Sequence, residues 1–321
     1  MSWSGRSILV TGAAGFIGSH VSRRLLALGA RVVGVDNLDP FYDVAMKARV
    51  EARTLEVGAG AYTSVRADIN DTGRLEALLR EHRVEGVIHL AAKAGVRPSI
   101  EDPVGYAHAN VTGTASVLRA ATRAGSARVV VASSSSVYGN NAKTPFAEDD
   151  AVEHPISPYA ATKRACELLG SSHHHLTGMP VAMLRFFTVY GPGQRPDLAI
   201  SKFMKLVRAG KPIPMFGNGH TSRDYTFIDD IVAGVLASYE RIDAHGYRVW
   251  NLGGSSPVTL TDLIASIGRV AGVVPAVEHR PSQPGDVERT WADLTRSGRE
   301  LGYAPRTTLD EGLRAQWNAG E

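Results

Sequence analysis

The chain has 321 residues, of which 44% are hydrophobic and 21% charged, with a net charge of +3 at neutral pH. That is the composition of a globular protein able to bury one large core or two moderate ones, and it excludes a disordered chain. A small, dispersed positive surplus argues against a nucleic-acid surface, no apolar run approaches the roughly 18 residues that span a bilayer, and the single cysteine, Cys166, excludes an intramolecular disulfide.

The first six residues carry no signal or transit pattern, which fits a cytoplasmic protein. Strands are then expected at 7–11, 31–36, 62–66, 86–90, 128–133 and 181–187. Helical patterns fill the gaps at 16–28, 73–81, 111–124 and 159–174. Such alternation implies a Rossmann-type, doubly wound parallel α/β sheet with right-handed crossovers. Beyond Phe187 the rhythm breaks at Pro192, Pro196, Pro212 and Pro214. Helices are expected there at 198–209, 228–241, 260–271 and 310–317, with short strands at 214–217 and 249–252. Residues 188–321 thus read mainly as a smaller, discontinuous substrate domain over the strand ends, and 1–187 as the nucleotide-binding domain, with segments near 224–251 returning to it.

Gly12, Gly15 and Gly18 follow the first strand and open the first helix, where Phe16 and Ile17 lie. Two glycines allow a tight turn close to a pyrophosphate, and the third allows close helix–strand packing. Asp36 ends the second strand about twenty residues on. A carboxylate there accepts the adenosine ribose hydroxyls and repels a 2′-phosphate, and the adjacent Asn37 offers no cation, so NAD is expected rather than NADP. Asp68, next to Ile69, suits the adenine amine. Leu90, Ala91 and Ala92 leave room for the cofactor to cross the fourth strand.

Tyr159 and Lys163 stand four residues apart, on one side of a helix. An ammonium and the positive nicotinamide ring favour the phenolate, which takes a proton from a substrate alcohol while its carbon gives up hydride. The strand ending at Ser133, Ser134, Ser135 and Ser136 delivers a hydroxyl to the same place. His173, His174 and His175 are adjacent on a helix and do not converge on one ion, so no metal is expected.

These residues, with Asn110, the string Arg185-Phe186-Phe187-Thr188-Val189-Tyr190-Gly191-Pro192 and the run from Arg223 to Asp230, resemble the extended short-chain dehydrogenases/reductases, in their sugar-nucleotide epimerase branch. The resemblance implies a catalytic Ser134, Tyr159 and Lys163, with Ser135 and Ser136 leaving the serine open, Asn110 at the cofactor site, and a homodimer built on the helix bearing Tyr159. Relatives that dehydrate or decarboxylate place an acid before the Val-Tyr-Gly, where this chain has serines; that favours epimerisation.

The strings Ala94-Gly95-Val96-Arg97, Ser133 to Gly139 and Thr188 to Asp197 are similar to those of UDP-glucuronate 4-epimerases. By that resemblance Arg97 and the serines face the sugar, and Thr188 and Arg195 its carboxylate. Arg223 would hold the diphosphate, Asp286 the nucleotide ribose and Phe216 the uracil. The alternatives are a UDP-glucose or UDP-N-acetylhexosamine 4-epimerase, a UDP-glucuronate decarboxylase, and, outside enzymes, an NAD-sensing regulator.

Overall fold

Val, Ile and Leu occupy both faces of the early strands, the pattern of a sheet covered by helices on two sides. A computed structural model of the chain describes residues 2–281 and 287–320. In chain order it contains β1 (Ser7–Thr11), α1 (Phe16–Ala27), β2 (Arg31–Asp36), α2 (Val44–Val57), β3 (Tyr62–Arg66), α3 (Thr72–Glu81) and β4 (Gly86–His89). Next come α4 (Val96–Glu101), α5 (Pro103–Tyr106), a π turn (Ala107–Thr112), α6 (Gly113–Ala124), β5 (Arg128–Ser134), a 3-10 turn (Ser135–Tyr138), α7 (Pro158–Thr177) and β6 (Val181–Phe186). The remainder is β7 (Thr188–Tyr190), α8 (Ala199–Arg208), β8 (Ile213–Phe216), β9 (Ser222–Phe227), α9 (Ile228–Arg241), β10 (Tyr247–Leu252), β11 (Pro257–Thr259), α10 (Leu260–Ala271), β12 (Val277–Arg280), α11 (Thr295–Leu301) and α12 (Leu309–Asn318).

Seven strands form one sheet in the order β10-β6-β5-β4-β1-β2-β3, with every pair parallel. This is the doubly wound order, and it reverses direction between β1 and β4, where a crevice opens at the carboxyl ends of the strands. β7, β9 and β11 form a three-stranded sheet, and β8 pairs with β12.

The period of two along each strand separates the core into two layers. Ile8, Val10, Val32, Ile88, Val130 and Leu184 pack with Val21 and Leu25 of α1 and Ile231 and Val235 of α9. Leu9, Val33, Val87, Val131 and Met183 face the other way, onto Leu75 and Leu78 of α3, Leu118 of α6 and Cys166 of α7. Each such side chain contributes roughly 1.5–3 kcal/mol by leaving water.

Several elements escape the sequence pattern. α2 buries only Lys47 and Thr54, so no apolar stripe announces it. The helix expected from residue 111 is preceded by the π turn, and Pro103 opens α5 with Asp102 as its cap. No helix among the described residues is long and apolar enough to cross a membrane.

Deep in the second layer, Glu167 of α7 meets Arg185 of β6. Arg185 donates from Nε (2.8 Å) and Nη2 (2.9 Å) to the two carboxylate oxygens, and Ser133 Oγ donates to Glu167 Oε1 at 2.7 Å. Burial pushes the Glu167 carboxyl up, but the hydrogen bonds and charge of Arg185, helped by Ser133 and Arg164, outweigh it and hold the group below the ordinary glutamate range. The lock is therefore present above that range and lost as pH falls through the lowered value. Glu167→Gln strands a buried guanidinium and is expected to cost about 3–5 kcal/mol, read as a lower urea midpoint. Glu76→Gln, in the more exposed pair with Arg80, is expected to cost less than about 1 kcal/mol. Equal losses would contradict the lock.

Candidate functional site

The crevice at the switch point between β1 and β4 is a cleft of about 550 Å³. Its floor is set by the turn from β1 into α1. Gly12 adopts φ +69°, and a Cβ there would stand 2.8 Å from the Ala91 nitrogen. A Cβ on Gly18 would stand 2.1 Å from the Gly12 carbonyl oxygen; only glycine lets α1 sit this close. The N-cap of α1 is Gly15, which supplies no side-chain cap, and Phe16, Ile17 and Gly18 of the first turn line the cleft, which puts the positive end of the helix beside it.

Gly12, Phe16, Ile17, Gly18, Asp36, Asn37, Asp68, Ile69, Leu90, Ala91 and Ala92 all line the cleft. Asp36 accepts from Ala14 N (3.1 Å) and Leu38 N (2.8 Å), which fixes the carboxylate and leaves each oxygen a lone pair. Asp68 accepts from Asn70 and from Asn37 Nδ2. Burial pushes its carboxyl up, and these bonds, those of Asn70 first, bring it below the usual range.

The other wall belongs to β5 and α7. Ser157 caps α7 by accepting from Ala160 N at 3.1 Å, and Pro158 occupies its first turn; both fit a helix start. Tyr159 therefore sits in the first turn and Lys163 one turn deeper. Tyr159 N donates to Ser99 Oγ at 3.0 Å, tying α7 to α4. Lys163 is buried, and its Nζ donates to Ala132 O at 2.8 Å, keeping two further N–H donors. Tyr159, Lys163, Ser133 and Ser134 border the cleft. Ser135 and Ser136 do not. Ser134 Oγ instead contacts Ser136 Oγ and N, each at 3.2 Å, which orients it.

Beneath these groups lies His89. Thr11 Oγ1 accepts from Leu90 N and Ala91 N, both at 3.1 Å. Its one proton therefore goes to His89 Nδ1 at 2.7 Å, so Nε2 carries the hydrogen and donates to Thr114 Oγ1 at 3.2 Å. Burial, and then the Lys163 charge, push His89 down to about 3. It is a neutral connector between Thr11 and Thr114.

Thr188 and Arg195 border the cleft on the side of the smaller sheets. Five other expected site residues do not. Gly15 is the N-cap of α1 and donates to Gly12 O at 3.0 Å. Asn110, in the π turn, uses its amide internally: Oδ1 accepts from Lys93 N, and Nδ2 donates to Lys93 O and Thr162 Oγ1. It shapes the cleft wall from behind. Arg97 opens α4, Phe216 ends β8, and Arg223 on β9 donates to Ser222 O and Glu288 O. Asp286 lies outside the described residues.

The cleft also presents Tyr42, Lys47, Lys93 and Asp197, which sequence reasoning did not single out. Lys47 Nζ donates to Asp39 O at 2.9 Å and lies 4.7 Å from the Tyr42 ring centre. Lys47 gave no sequence signal, because α2, which carries it, has no apolar stripe. Asp197 follows Arg195 by two residues, and its pairing with that arginine lies in side-chain geometry alone.

Residues 9–316 match the GDP-mannose 4,6 dehydratase family. The chain is 40% identical over 312 residues to a UDP-glucuronate 4-epimerase of Thermodesulfobacterium geofontis, covering 97% of this chain and 94% of that protein. The crystal structure of a UDP-glucuronic acid 4-epimerase from Bacillus cereus, in complex with UDP-glucuronic acid and NAD, superposes with TM-score 0.90 at 35% identity and covers 98% of both chains. A UDP-glucose 4-epimerase of Thermotoga maritima with UDP-glucose gives TM-score 0.89 at 31% identity, again covering 98% of each chain. The chain therefore belongs to the GDP-mannose 4,6 dehydratase family, in the sugar-nucleotide epimerase branch of the extended short-chain dehydrogenases/reductases.

Proposed function

We propose that the chain is an NAD-dependent UDP-glucuronate 4-epimerase, interconverting UDP-glucuronate and UDP-galacturonate through a 4-keto sugar. The observation that carries this reading is one cleft holding Tyr159, Lys163 and Ser134 on one wall, with Thr188 and Arg195 also bordering it. The relatives named above support it.

The residues fit the cofactor. The glycine turn brings β1, Ala91 and α1 closer together than a Cβ at Gly12 or Gly18 would allow, the uncapped α1 terminus favours a pyrophosphate's charge, and Asp36 keeps lone pairs for ribose hydroxyls. When bound, NAD accepts the C4 hydride and returns it.

The chain's own groups handle the proton. Tyr159 takes it from the C4 hydroxyl, Ser134 holds the same oxygen, and the Lys163 ammonium, pinned on Ala132 O, stabilises the phenolate. The keto sugar then turns over in the cleft, and Tyr159 returns the proton to the other epimer. The nucleotide half falls to residues 188–321, with Arg223, Phe216 and Asp286 as contacts on the resemblance alone, and the cofactor half to 1–187.

Oxidation at C4 of a uronate creates a β-keto acid, which is prone to lose CO₂. Arg195 and Thr188 hold the carboxylate so that the C5–C6 bond lies near the plane of the ketone, where cleavage overlaps poorly with the carbonyl. The segment Ser133 to Ser136 supplies no acid for elimination.

The neutral-sugar reading has one specific observation in its favour. Arg195 already holds Asp197, and a hydroxymethyl group would leave that pair undisturbed.

A homodimer is supported by apolar residues in contact-forming helices: Leu168 and Leu176 on α7, with Ile100 and Val104 on the adjoining α4 and α5, stand exposed. A twin α7 would cover them. Sedimentation at micromolar concentration is expected to give twice the chain mass; a monomer would end that reading. An enzyme that draws on NAD and nucleotide sugars fits the cytoplasm, where both pools are held.

Purified protein incubated with UDP-glucuronate, without added NAD, is expected to yield UDP-galacturonate and no CO₂ by NMR. Formation of UDP-pentose would make it a decarboxylase, and turnover of UDP-glucose alone would establish the neutral-sugar reading. Arg195→Ala is expected to raise KM for UDP-glucuronate about tenfold or more and to release CO₂. Unchanged turnover without CO₂ would remove Arg195 from this role.

A further inference from the structure

Arg195 is not waiting with an open fork. Its Nε donates to Asp197 Oδ1 at 3.0 Å and its Nη2 to Asp197 Oδ2 at 2.7 Å. Nη1 donates to Ala94 O at 3.2 Å, and the guanidinium carbon lies 4.8 Å from the Phe41 ring centre. The side-on Nε/Nη2 edge, one of the two edges by which an arginine matches a carboxylate bidentately, is thus closed on a carboxylate of the same chain.

The backbone beneath this pair is held firmly. Gln194 is buried, donates to Val189 O at 2.9 Å, and accepts from Ser201 N and Oγ and from Gln316 Nε2. His20 Nε2 pairs with Pro192 O at 2.9 Å. Any change of partner at Arg195 is therefore a side-chain event. Asp197 is the more exposed half, its side chain 48% exposed against 15% for Arg195, so water can take up a released carboxylate while the guanidinium stays on Phe41.

We infer that Asp197 is a specificity-determining residue that acts as an internal stand-in for the sugar carboxylate. Resting on the uronate reading above, it holds the Arg195 fork until a substrate carboxylate replaces it. The exchange is carboxylate for carboxylate. The guanidinium is never left unpaired in the cleft, and a neutral C6 group displaces nothing. The same pairing lowers the apparent affinity for uronates, because only the fraction of molecules with Asp197 released is competent. An ion pair with one largely exposed partner is worth little, so that tax is small and the exchange readily reversible.

The test is calorimetric binding of UDP-glucuronate and of UDP-glucose to the NAD-loaded protein and its Asp197→Asn, Arg195→Ala and doubly substituted forms. Asp197→Asn is expected to tighten UDP-glucuronate three- to fivefold and to leave UDP-glucose within twofold. In the Arg195→Ala background the same substitution is expected to leave the ratio of the two constants unchanged. Weaker UDP-glucuronate binding by Asp197→Asn would overturn the inference, since Asp197 would then be orienting Arg195 for the substrate. Equal tightening of both ligands would overturn it too, by showing only a loss of charge repulsion. Failure of the uronate reading shows separately, as Arg195→Ala binding UDP-glucuronate as tightly as the unsubstituted protein does.

Discussion

The site depends on α7 being locked to the sheet. Glu167, fully buried, holds Arg185 of β6 by two hydrogen bonds and accepts a third from Ser133 of β5. Lys163 reaches the same strand through Ala132 O. Tyr159 and Lys163 on the helix, and Ser134 at the strand end, are thereby held in one frame. A buried ion pair is weak evidence for net stability, because desolvation consumes much of its attraction. Its value here is geometric: proton transfer needs reacting atoms placed to a fraction of an ångström, and three directed bonds supply that where apolar packing alone would allow slip.

Charge on the cleft is arranged with the same economy. His89 stays neutral, its ring oriented by Thr11 and Thr114, while Lys163 is buried and tied to Ala132 O. Asp36 and Asp68 line the cleft beyond β2 and β3, each already satisfied in part by amides. Arg195 sits near the mouth, neutralised by Asp197. The charges on the cleft are thus individually placed rather than a diffuse positive field, in keeping with a chain whose net charge is only +3.

Much of this was legible in the sequence because local spacing encodes it. The Gly12, Gly15 and Gly18 turn has its own signature, and Ser157-Pro158 marks the start of α7, so the facing of Tyr159 and Lys163 follows from helix periodicity. What remained hidden depends on contacts between distant segments. Nothing in the chain links Glu167 to Arg185, or Thr11 to His89, before the sheet brings them together. The roles of Asn110 and Asp197 are likewise side-chain choices: one amide turned inward onto Lys93, and one carboxylate turned onto its neighbour two residues away. α2 stayed unseen because its buried residues, Lys47 and Thr54, are polar. Thr188 and Arg195, which the resemblance set against the sugar carboxylate, border the cleft, and Phe216 and Arg223 lie on the small sheets outside its lining.

The central claim is that Tyr159 manages only a proton while the C4 hydrogen leaves and returns as hydride within one closed site. UDP-glucuronate carrying deuterium at C4, epimerised in ordinary water and analysed by NMR, tests it directly. The account predicts UDP-galacturonate with deuterium retained at C4. Product with hydrogen from solvent at C4 would contradict it, because inversion would then run through proton exchange rather than hydride transfer.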